Sequence, residues 1–197
     1  MHEYDLIADW YAADRKTDIG VPEVTALVCS LPPGATVLDV GCGTGVPLTQ
    51  TLVQAGCAVV GVDSSPRMLE RFRLNCPDTP AICSPVQMCD LQGRTFDAAV
   101  AWGVLFHLPH DDQDRAVARV SEVLKPGGLF LFTSGDEDGS KQGEPMHGVP
   151  FGYFSFSVEG YRHLLAQHEL TLCDVHSDRW DNLYYLARRS PRGPQRG

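Results

Sequence analysis

The feature that most constrains the fold is a glycine-rich turn that directly follows an apolar strand. Residues 36–40 read Thr-Val-Leu-Asp-Val, and residues 41–45 read Gly-Cys-Gly-Thr-Gly. Glycines at alternate positions allow a tight turn and a close approach of the backbone to a ligand. A helix is predicted over 46–55, so the order is strand, glycine turn, helix. That order predicts an α/β nucleotide-binding unit, although Val46 stands where the dinucleotide motif G-x-G-x-x-G has its third glycine.

Strands and helices alternate along the rest of the chain. Because helices connect parallel strands, this alternation predicts an α/β fold with a doubly wound, mostly parallel sheet and helices on both faces. A short polar turn separates the last two strands, which is typical of an antiparallel edge. The predicted strands are 36–40, 58–62, 81–83, 96–101, 129–133, 170–175 and 183–187, and the predicted helices are 4–13, 22–30, 46–55, 66–75, 111–124 and 158–168.

The length of 197 residues suits one domain, which we expect over residues 1–187. Residues 134–152 are rich in Gly, Asp, Glu, Lys and Pro without a period, so we expect a long insertion loop over 134–157. Such long connections inside a compact domain are usually functional or mobile. Residues 188–197 combine Arg, Pro and Gly, which predicts a flexible basic tail.

The composition disfavours several classes of partner. The net charge is −9, with 25 acidic against 16 basic residues, which argues against binding driven by nucleic-acid phosphates. The seven cysteines include no C-x-x-C pair, and the N-terminus has no basic-then-apolar leader, so we expect a reduced, cytoplasmic protein without a metal site. No apolar run approaches about 18 residues, so we expect no membrane partner. The sequence carries no sign of the oligomeric state.

Two acidic residues indicate which kind of ligand could bind at the glycine turn. Asp63 ends the second strand, where a carboxylate accepts both hydroxyls of a ribose, and this suits a nicotinamide dinucleotide and an adenosyl compound equally. Asp39 precedes the glycine turn, where its charge would repel a pyrophosphate and favour a cationic ligand. A buried Asp39 that accepts hydrogen bonds from the loop is the alternative. An NAD(P)-dependent oxidoreductase therefore stays open, although the third glycine and a Tyr-x-x-x-Lys pair are both missing.

Four motifs together resemble the class I S-adenosylmethionine-dependent methyltransferases, of the compact kind that act on small molecules. They are Val37–Gly45, Asp63, Phe-Asp-Ala-Ala-Val at 96–100 and Leu-Lys-Pro-Gly-Gly at 124–128. The resemblance extends over residues 4–187 and implies a Rossmann-like seven-stranded sheet with an antiparallel last strand.

The same resemblance implies S-adenosyl-L-methionine as cofactor and S-adenosyl-L-homocysteine as product. The expected reaction is an in-line displacement that moves a methyl group to the O, N or S atom of a small-molecule acceptor. Methylation of a macromolecule and a non-catalytic module that binds the cofactor are the alternatives. An N/D-P-P-Y/F tetrapeptide, typical of base-amine methyltransferases, is absent from the sequence.

The resemblance also implies a cofactor site. The glycine turn would border the methionine half, Asp63 would hold the ribose, and the helix after it would approach the adenine. Relatives often have an acid before the Phe-Asp strand that contacts the adenine amine, but Pro85 stands there, with Asp90 as a nearby substitute. A Tyr-Asp-x-x-Ala-x-x-Tyr pattern at 4–11 resembles the lid helix of relatives, so we expect lid helices within 1–30. The predicted cofactor-binding residues are Tyr11, Arg15, Asp39, Gly41, Cys42, Gly43, Gly45, Asp63, Ser64, Met68, Val86, Gln87 and Trp102.

The acceptor side is predicted from side chains near the ends of the later strands. His107 is the candidate general base, because a hydroxyl or protonated acceptor must lose a proton; the alternative is a packed or capping histidine. His147, Tyr153 and Phe154 of the insertion are the candidate acceptor-binding residues, and their alternative role is to anchor the loop to the core. Trp102 is expected either to flank the ligand or to pack between helix and sheet. Asp178, Arg179 and Asp181 are expected near the same opening.

Overall fold

The structure is a computed structural model that describes residues 3–14 and 18–191. The strands are β1 (Thr36–Val40), β2 (Ala58–Asp63), β3 (Ala81–Cys83), β4 (Phe96–Ala101), β5 (Leu124–Thr133), β6 (Gly139–Gln142), β7 (Gly152–Ser155), β8 (Leu170–Ser177) and β9 (Leu183–Arg189). Seven of them form one sheet in the order β3-β2-β1-β4-β5-β9-β8. The pairs from β3 to β5 are parallel, whereas β9 is antiparallel to both of its neighbours. The predicted Rossmann-like sheet with an antiparallel last strand is confirmed.

Helices cover both faces of this sheet. They are α1 (Glu3–Asp14), α2 (Val21–Cys29), α3 (Leu48–Gln54), α4 (Pro66–Asn75), α5 (His110–Val123) and α6 (Val158–Gln167). Side chains of β5 point alternately to the two faces: Leu129 and Leu131 pack with α2 and α3, and Phe130 and Phe132 pack with α5 and α6. This burial on both faces explains why the strands read as continuous apolar runs.

Serine caps define where two of the helices begin. The Ser65 hydroxyl accepts a hydrogen bond from the Met68 backbone N–H at 3.1 Å, and Pro66 occupies the first helical position of α4. The Ser157 hydroxyl accepts from the Gly160 N–H at 3.2 Å at the start of α6. Both serines satisfy backbone donors that the first turn of a helix leaves unpaired.

Three expectations about the segments need correction. The 134–157 insertion contains regular structure, because β6 and β7 pair in an antiparallel two-stranded sheet. Both faces of β6 are exposed, so no apolar period marks it in the sequence. Residues 188 and 189 belong to β9 and not to a flexible tail, and residues 192–197 lie outside the described part. Of the two N-terminal helices, only α1 lies over the site, since α2 packs on the sheet face.

Acidic side chains attach α1 to α4. Asp5 is buried and accepts hydrogen bonds from the Ser65 hydroxyl at 2.6 Å, while Arg67 donates to the Asp5 carbonyl at 2.9 Å. Asp9 forms ion pairs with Arg67 and Arg71 at 2.8 and 2.6 Å. The hydrogen bond from Arg71, together with the nearby charge of Arg67, holds the pKa of the exposed Asp9 carboxyl below its usual value.

Two searches of the described residues concern membranes and metals. Within residues 3–14 and 18–191, no helix is long and apolar enough to span a bilayer. In the same ranges, no three His, Cys, Asp or Glu side chains are grouped so that they could hold a metal ion.

Candidate functional site

A cavity of about 290 Å³ opens at the carboxyl ends of β1, β2 and β4. At this point the strand order reverses, because β1 lies between β2 and β4. Ligands of open α/β sheets bind at such a switch point. The volume is near the lower end of the range for ligand pockets, roughly 300–1,000 Å³. The helix α1 and the short 3₁₀ turn at 105–107 form its remaining walls.

The glycine turn is held against the end of β2. The backbone N–H groups of Gly41 and Cys42 both donate to the Val62 carbonyl, at 2.7 and 3.1 Å. Gly41 has a φ of 65°, and a Cβ there would lie 2.1 Å from Cγ2 of Val104. Gly43 has a φ of 53° and faces open space, since an added Cβ would meet only the Gly41 carbonyl at 3.9 Å. Gly41 therefore serves packing, whereas Gly43 keeps the cavity open.

Asp63 links the glycine turn to the start of α4. Its Oδ2 accepts from the Gly43 N–H and its Oδ1 from the Ser65 N–H, both at 2.8 Å. These two bonds fix the orientation of the carboxylate. The side chain is half-buried and lines the cavity. The geometry suits an acceptor of hydrogen bonds from ligand hydroxyls.

The floor of the cavity is negatively charged. Asp39 is buried at 3% exposure, and the Thr49 hydroxyl donates to its Oδ2 at 2.5 Å. Burial, together with the charges of Asp39 and Asp63, raises the pKa of the Cys42 thiol well above its usual value, so this thiol stays protonated. The described residues that line the cavity include these two carboxylates and neither Lys nor Arg. A cationic ligand is favoured there over a pyrophosphate.

One side of the cavity is narrow and largely apolar. It is formed by Met68 of α4 and by residues 84–87 after β3. Met68 and Val86 are buried, and the Gln87 amide nitrogen donates to Asp112 at 3.3 Å. Gln87 thus faces the cavity with its amide held by α5. Asp90 lies elsewhere, in a shallow surface hollow, and accepts from the Gln92 N–H at 2.8 Å, so it cannot replace the missing acid at Pro85.

The opposite end of the cavity carries aromatic residues. Tyr4 and Tyr11 reach it from α1, with their rings edge to face at 5.7 Å. His107 follows β4, and its Nε2 lies 3.1 Å from the Tyr4 hydroxyl. Trp102 also lines the cavity, although it is buried at 6% exposure. Its ring packs with α2 and α3, and a Cβ added to Gly20 would lie 2.7 Å from it. Trp102 therefore packs between helix and sheet and also borders the cavity.

Most of the predicted site residues meet in this one cavity. They are Tyr11, Asp39, Gly41, Cys42, Gly43, Asp63, Ser64, Met68, Val86, Gln87, Trp102 and His107. The sequence reasoning missed Tyr4, Thr44, Val46, Leu48, Ser84, Val104 and Leu108, which also line it. Thr44 and Val46 were detectable because Thr44 lies within the glycine turn and Val46 directly follows it. Tyr4 was detectable as the first tyrosine of the lid-helix pattern. Val104 and Leu108 carry no such signal.

Other predicted residues lie outside the cavity. Gly45 is buried behind it, where a Cβ would lie 2.8 Å from the Cys76 sulfur. His147 is exposed and stacks on Trp10 at 5.3 Å, while Phe154 packs against His110. Tyr153 contacts the ring of His107 at 5.0 Å and so lies behind the cavity wall. Arg15 falls outside the described residues.

The late turn at 177–182 is structural. The buried Asp178 carboxylate accepts from the backbone N–H groups of Trp180 and Asn182, at 2.7 and 2.8 Å. Arg179 pairs with Asp18. Neither these residues nor Asp181 line the cavity, which corrects their predicted place at its opening.

Comparison with known proteins identifies the domain that holds this cavity. Residues 37–128 match the family described as Methyltransferase domain. This match supports the predicted resemblance to the class I S-adenosylmethionine-dependent methyltransferases. The chain is 33% identical over 108 residues to the ubiquinone biosynthesis O-methyltransferase of Xanthomonas axonopodis pv. citri, an alignment that covers 52% of this chain and 44% of that one. The chain thus spans less than half the length of the curated relative that it matches.

Solved methyltransferases share the whole fold. The CcbJ methyltransferase from Streptomyces caelestis superposes with a TM-score of 0.78 at 19% identity, over 95% of this chain and 98% of that one. The Burkholderia thailandensis 1,6-didemethyltoxoflavin-N1-methyltransferase, solved with its substrate and S-adenosylhomocysteine bound, superposes with a TM-score of 0.73 at 25% identity, over 95% of this chain and 87% of that one. The predicted family is therefore confirmed.

Proposed function

We propose that this methyltransferase moves a methyl group from S-adenosylmethionine to the O, N or S atom of a small-molecule acceptor. The observation that carries the proposal is the charge of the cavity: Asp39 and Asp63 line it, and no Lys or Arg does among the described residues. A sulfonium ligand is favoured by that charge, and a dinucleotide is not. The toxoflavin-type substrate of the Burkholderia structure and the O-methyltransferase name of the Xanthomonas relative support a small acceptor.

The residues of the cavity fit an adenosyl cofactor. Gly43 leaves open space where any larger residue would place a side chain. Asp63, oriented by the Gly43 and Ser65 N–H groups, would hold the ribose hydroxyls. Met68 and Val86 would enclose the adenine, with the Gln87 amide at its rim in place of the acid that relatives often use. When bound, S-adenosylmethionine supplies a methyl group already activated by its sulfonium sulfur.

The protein then has two tasks, to align the acceptor and to take up its proton. Alignment requires the attacking atom to lie within about 3–3.5 Å of the methyl carbon. His107 is the proposed proton acceptor, because it alone among the described histidines lines the cavity. Tyr11 and Trp102 border the same region from α1 and β4. Tyr153 would support the acceptor site through His107 and not by direct contact.

Calorimetric titration tests the cofactor claim. We expect saturable heat with S-adenosylhomocysteine and none with NAD. Asp63→Asn keeps the side-chain shape but removes the charge, and a charged hydrogen bond contributes about 1.5–3 kcal/mol, so the dissociation constant should rise about 10–100-fold. Asp90→Asn is the matched control, since Asp90 is exposed outside the cavity, and its constant should stay within about twofold.

The remaining alternatives give other results. Heat with NAD alone would contradict the proposal and support an oxidoreductase. Binding of S-adenosylhomocysteine without transfer of labelled methyl groups to any member of a small-molecule acceptor panel would favour a non-catalytic module. Transfer only to protein or nucleic acid would support a macromolecular acceptor.

A further inference from the structure

An aromatic cluster surrounds His107 at the acceptor end of the cavity. It consists of Tyr4, Phe106, His107, Phe151 and Tyr153, contributed by α1, the 105–107 turn and the β7 region. Ring centroids lie 5.0 Å apart for Tyr4 and Phe151, 5.3 Å for His107 and Phe151, and 5.6 Å for the stacked pair Phe106 and Tyr153. Such contacts fix the ring positions of Tyr4 and His107, the two members of the cluster that line the cavity.

The hydrogen bonds of His107 settle its tautomer. Nδ1 lies 3.2 Å from the Gly152 carbonyl oxygen, which can only accept, so Nδ1 carries the proton of the neutral ring. Nε2 is then the acceptor, and the Tyr4 hydroxyl donates to it at 3.1 Å. The carbonyl of Gly152 also stabilises the imidazolium that forms when Nε2 takes up a proton. Tyr4 and His107 both line the cavity, so the pair meets whatever occupies it.

Tyr4 owes its position to the contacts of α1 with α4. Its neighbour Asp5 is buried against Ser65, and Asp9 pairs with two arginines of α4. The Tyr4 ring packs on Phe151 on one side and Tyr11 on another. The hydroxyl is therefore held at His107 by the contacts of α1 with α4 and with Phe151.

We propose that Tyr4 and His107 form a proton relay for an aromatic acceptor that carries an ionisable ring hydroxyl. This inference rests on the proposed methyl transfer and names its acceptor class. The rings of Tyr4, Tyr11 and Trp102 that line the cavity match a planar acceptor, and the absence of Lys and Arg from the described lining disfavours acceptors that bind through an anionic group. A neutral amine or thioether attacks with a free lone pair, whereas a hydroxyl becomes a strong nucleophile only when it loses its proton, and a ring hydroxyl has a pKa close to that of tyrosine, about 10.

The relay conserves atoms and electrons. The acceptor hydroxyl gives its proton to the Tyr4 oxygen while the Tyr4 proton passes to Nε2 of His107. The electron pair of the broken O–H bond stays on the acceptor oxygen and forms the new bond to the methyl carbon, with the pair of the broken C–S bond left on sulfur. Tyr4 ends neutral, and the imidazolium of His107 later releases its proton to solvent.

Other titratable groups near the relay do not replace His107. Burial raises the pKa of Tyr153 on β7, so its hydroxyl stays protonated near neutral pH. Tyr11 on α1 touches the Tyr4 ring, and Asp39 and Asp63 line the cavity from β1 and β2. The two carboxylates accept hydrogen bonds from Thr49, Gly43 and Ser65.

The experiment uses 4-nitrophenol, whose phenolate has its own absorption band. The full-length protein is first saturated with S-adenosylhomocysteine, and the phenolate absorbance is followed against pH. We expect the ionisation midpoint of the bound phenol to fall by about one pH unit or more below that of free phenol, equivalent to a tenfold or greater change in its ionisation constant. Tyr4→Phe and His107→Gln should each remove this shift. Tyr184→Phe, a tyrosine outside the cavity, should retain it.

The possible results distinguish failure of the proposed relay from failure of the proposed function. Loss of the shift in both variants, with S-adenosylhomocysteine affinity within about threefold of wild type, supports the relay. A shift that survives Tyr4→Phe overturns the role of Tyr4. Failure of both 4-nitrophenol and 8-hydroxyquinoline to bind the loaded protein overturns the aromatic acceptor class. Failure of S-adenosylhomocysteine itself to bind overturns the proposed function, which is a different result.

Discussion

Replacing Gly41 by alanine should destabilise the protein by a packing clash that Gly43 and Gly103, the other glycines lining the cavity, do not share. The backbone at Gly41 has a φ of 65°, in the left-handed region, and its missing Cβ would lie 2.1 Å from Cγ2 of Val104. Carbon atoms in contact are normally about 3.5–4.0 Å apart, so the overlap exceeds an ångström. Val104 lies between β4 and the 105–107 turn and packs, partly buried, against the core, and its β-branched side chain has few χ1 rotamers to move to.

The expected magnitude is a sum of two contributions. A non-glycine residue in the left-handed region costs about 1–2 kcal/mol. Forcing extra atoms into a packed site costs about 1–3 kcal/mol. The free energy of unfolding of Gly41→Ala should therefore fall by about 2–5 kcal/mol. Gly34→Ala measures the cost of the left-handed backbone alone, because Gly34 has a φ of 72° and nothing within 4 Å of its Cβ position.

Urea unfolding followed by tryptophan fluorescence measures the free energy of unfolding of both variants. A third variant tests whether the clash with Val104 causes the loss. Val104→Ala removes the clashing γ carbons and leaves the Val104 Cβ at 3.3 Å as the nearest remaining atom of that side chain. In a double-mutant cycle, Gly41→Ala and Val104→Ala should couple by about 1–3 kcal/mol in the compensating direction. Equal stability losses for Gly41→Ala and Gly34→Ala, or no coupling, would refute the packing argument.

Two further predictions concern buried polar groups. Tyr161→Phe should lower the free energy of unfolding by about 1–3 kcal/mol, because the Tyr161 hydroxyl forms hydrogen bonds with the buried side chains of Ser134 and Gln113. Urea titration measures this loss of stability, and an unchanged unfolding midpoint would contradict the prediction. Burial raises the pKa of Asp97, but hydrogen bonds from Lys125 and Thr36 outweigh it, so that the pKa lies below its usual value. The stability that Asp97 adds is therefore complete above the usual aspartate pKa of about 3.9 and is lost as the pH falls through the lowered pKa. Asp97→Asn should be less stable than wild type at pH 7, and acid should remove the difference; a constant difference across pH would show that ionisation is not involved.

The structural features that were predicted correctly are those set by residues adjacent in the sequence. The glycine turn, the acid at the end of β2 and the serine before Pro66 are local signals, and the structure places Asp63 and Ser65 against the turn through backbone N–H groups. The strands were visible because burial on both faces leaves an uninterrupted apolar run. Their order in the sheet follows from the crossover rules of such folds.

The sequence predicted poorly what depends on long-range packing. The pairing of β6 with β7 joins two exposed strands whose residues show no apolar period. His147 lies on Trp10 and not in the cavity, because a stacking partner on α1 holds it. Arg188 and Arg189 looked like a tail by composition, yet β9 continues through them and Arg189 donates to the Glu122 carbonyl at 3.2 Å. None of these contacts has a local signature.

The two ends of the cavity follow from different parts of the chain. Its charged end is built by β1, the glycine turn and β2, all within residues 37–128, the range that matches the methyltransferase family. Its aromatic end combines His107 from that range with Tyr4 and Tyr11 from outside it. A sequence match over 37–128 therefore carries little information on the residues at that end. If the glycine turn and Asp63 hold the cofactor as proposed, exchanging the β7 region, whose Gly152 carbonyl contacts His107, with that of a relative should change acceptor choice and leave the affinity for S-adenosylhomocysteine unchanged.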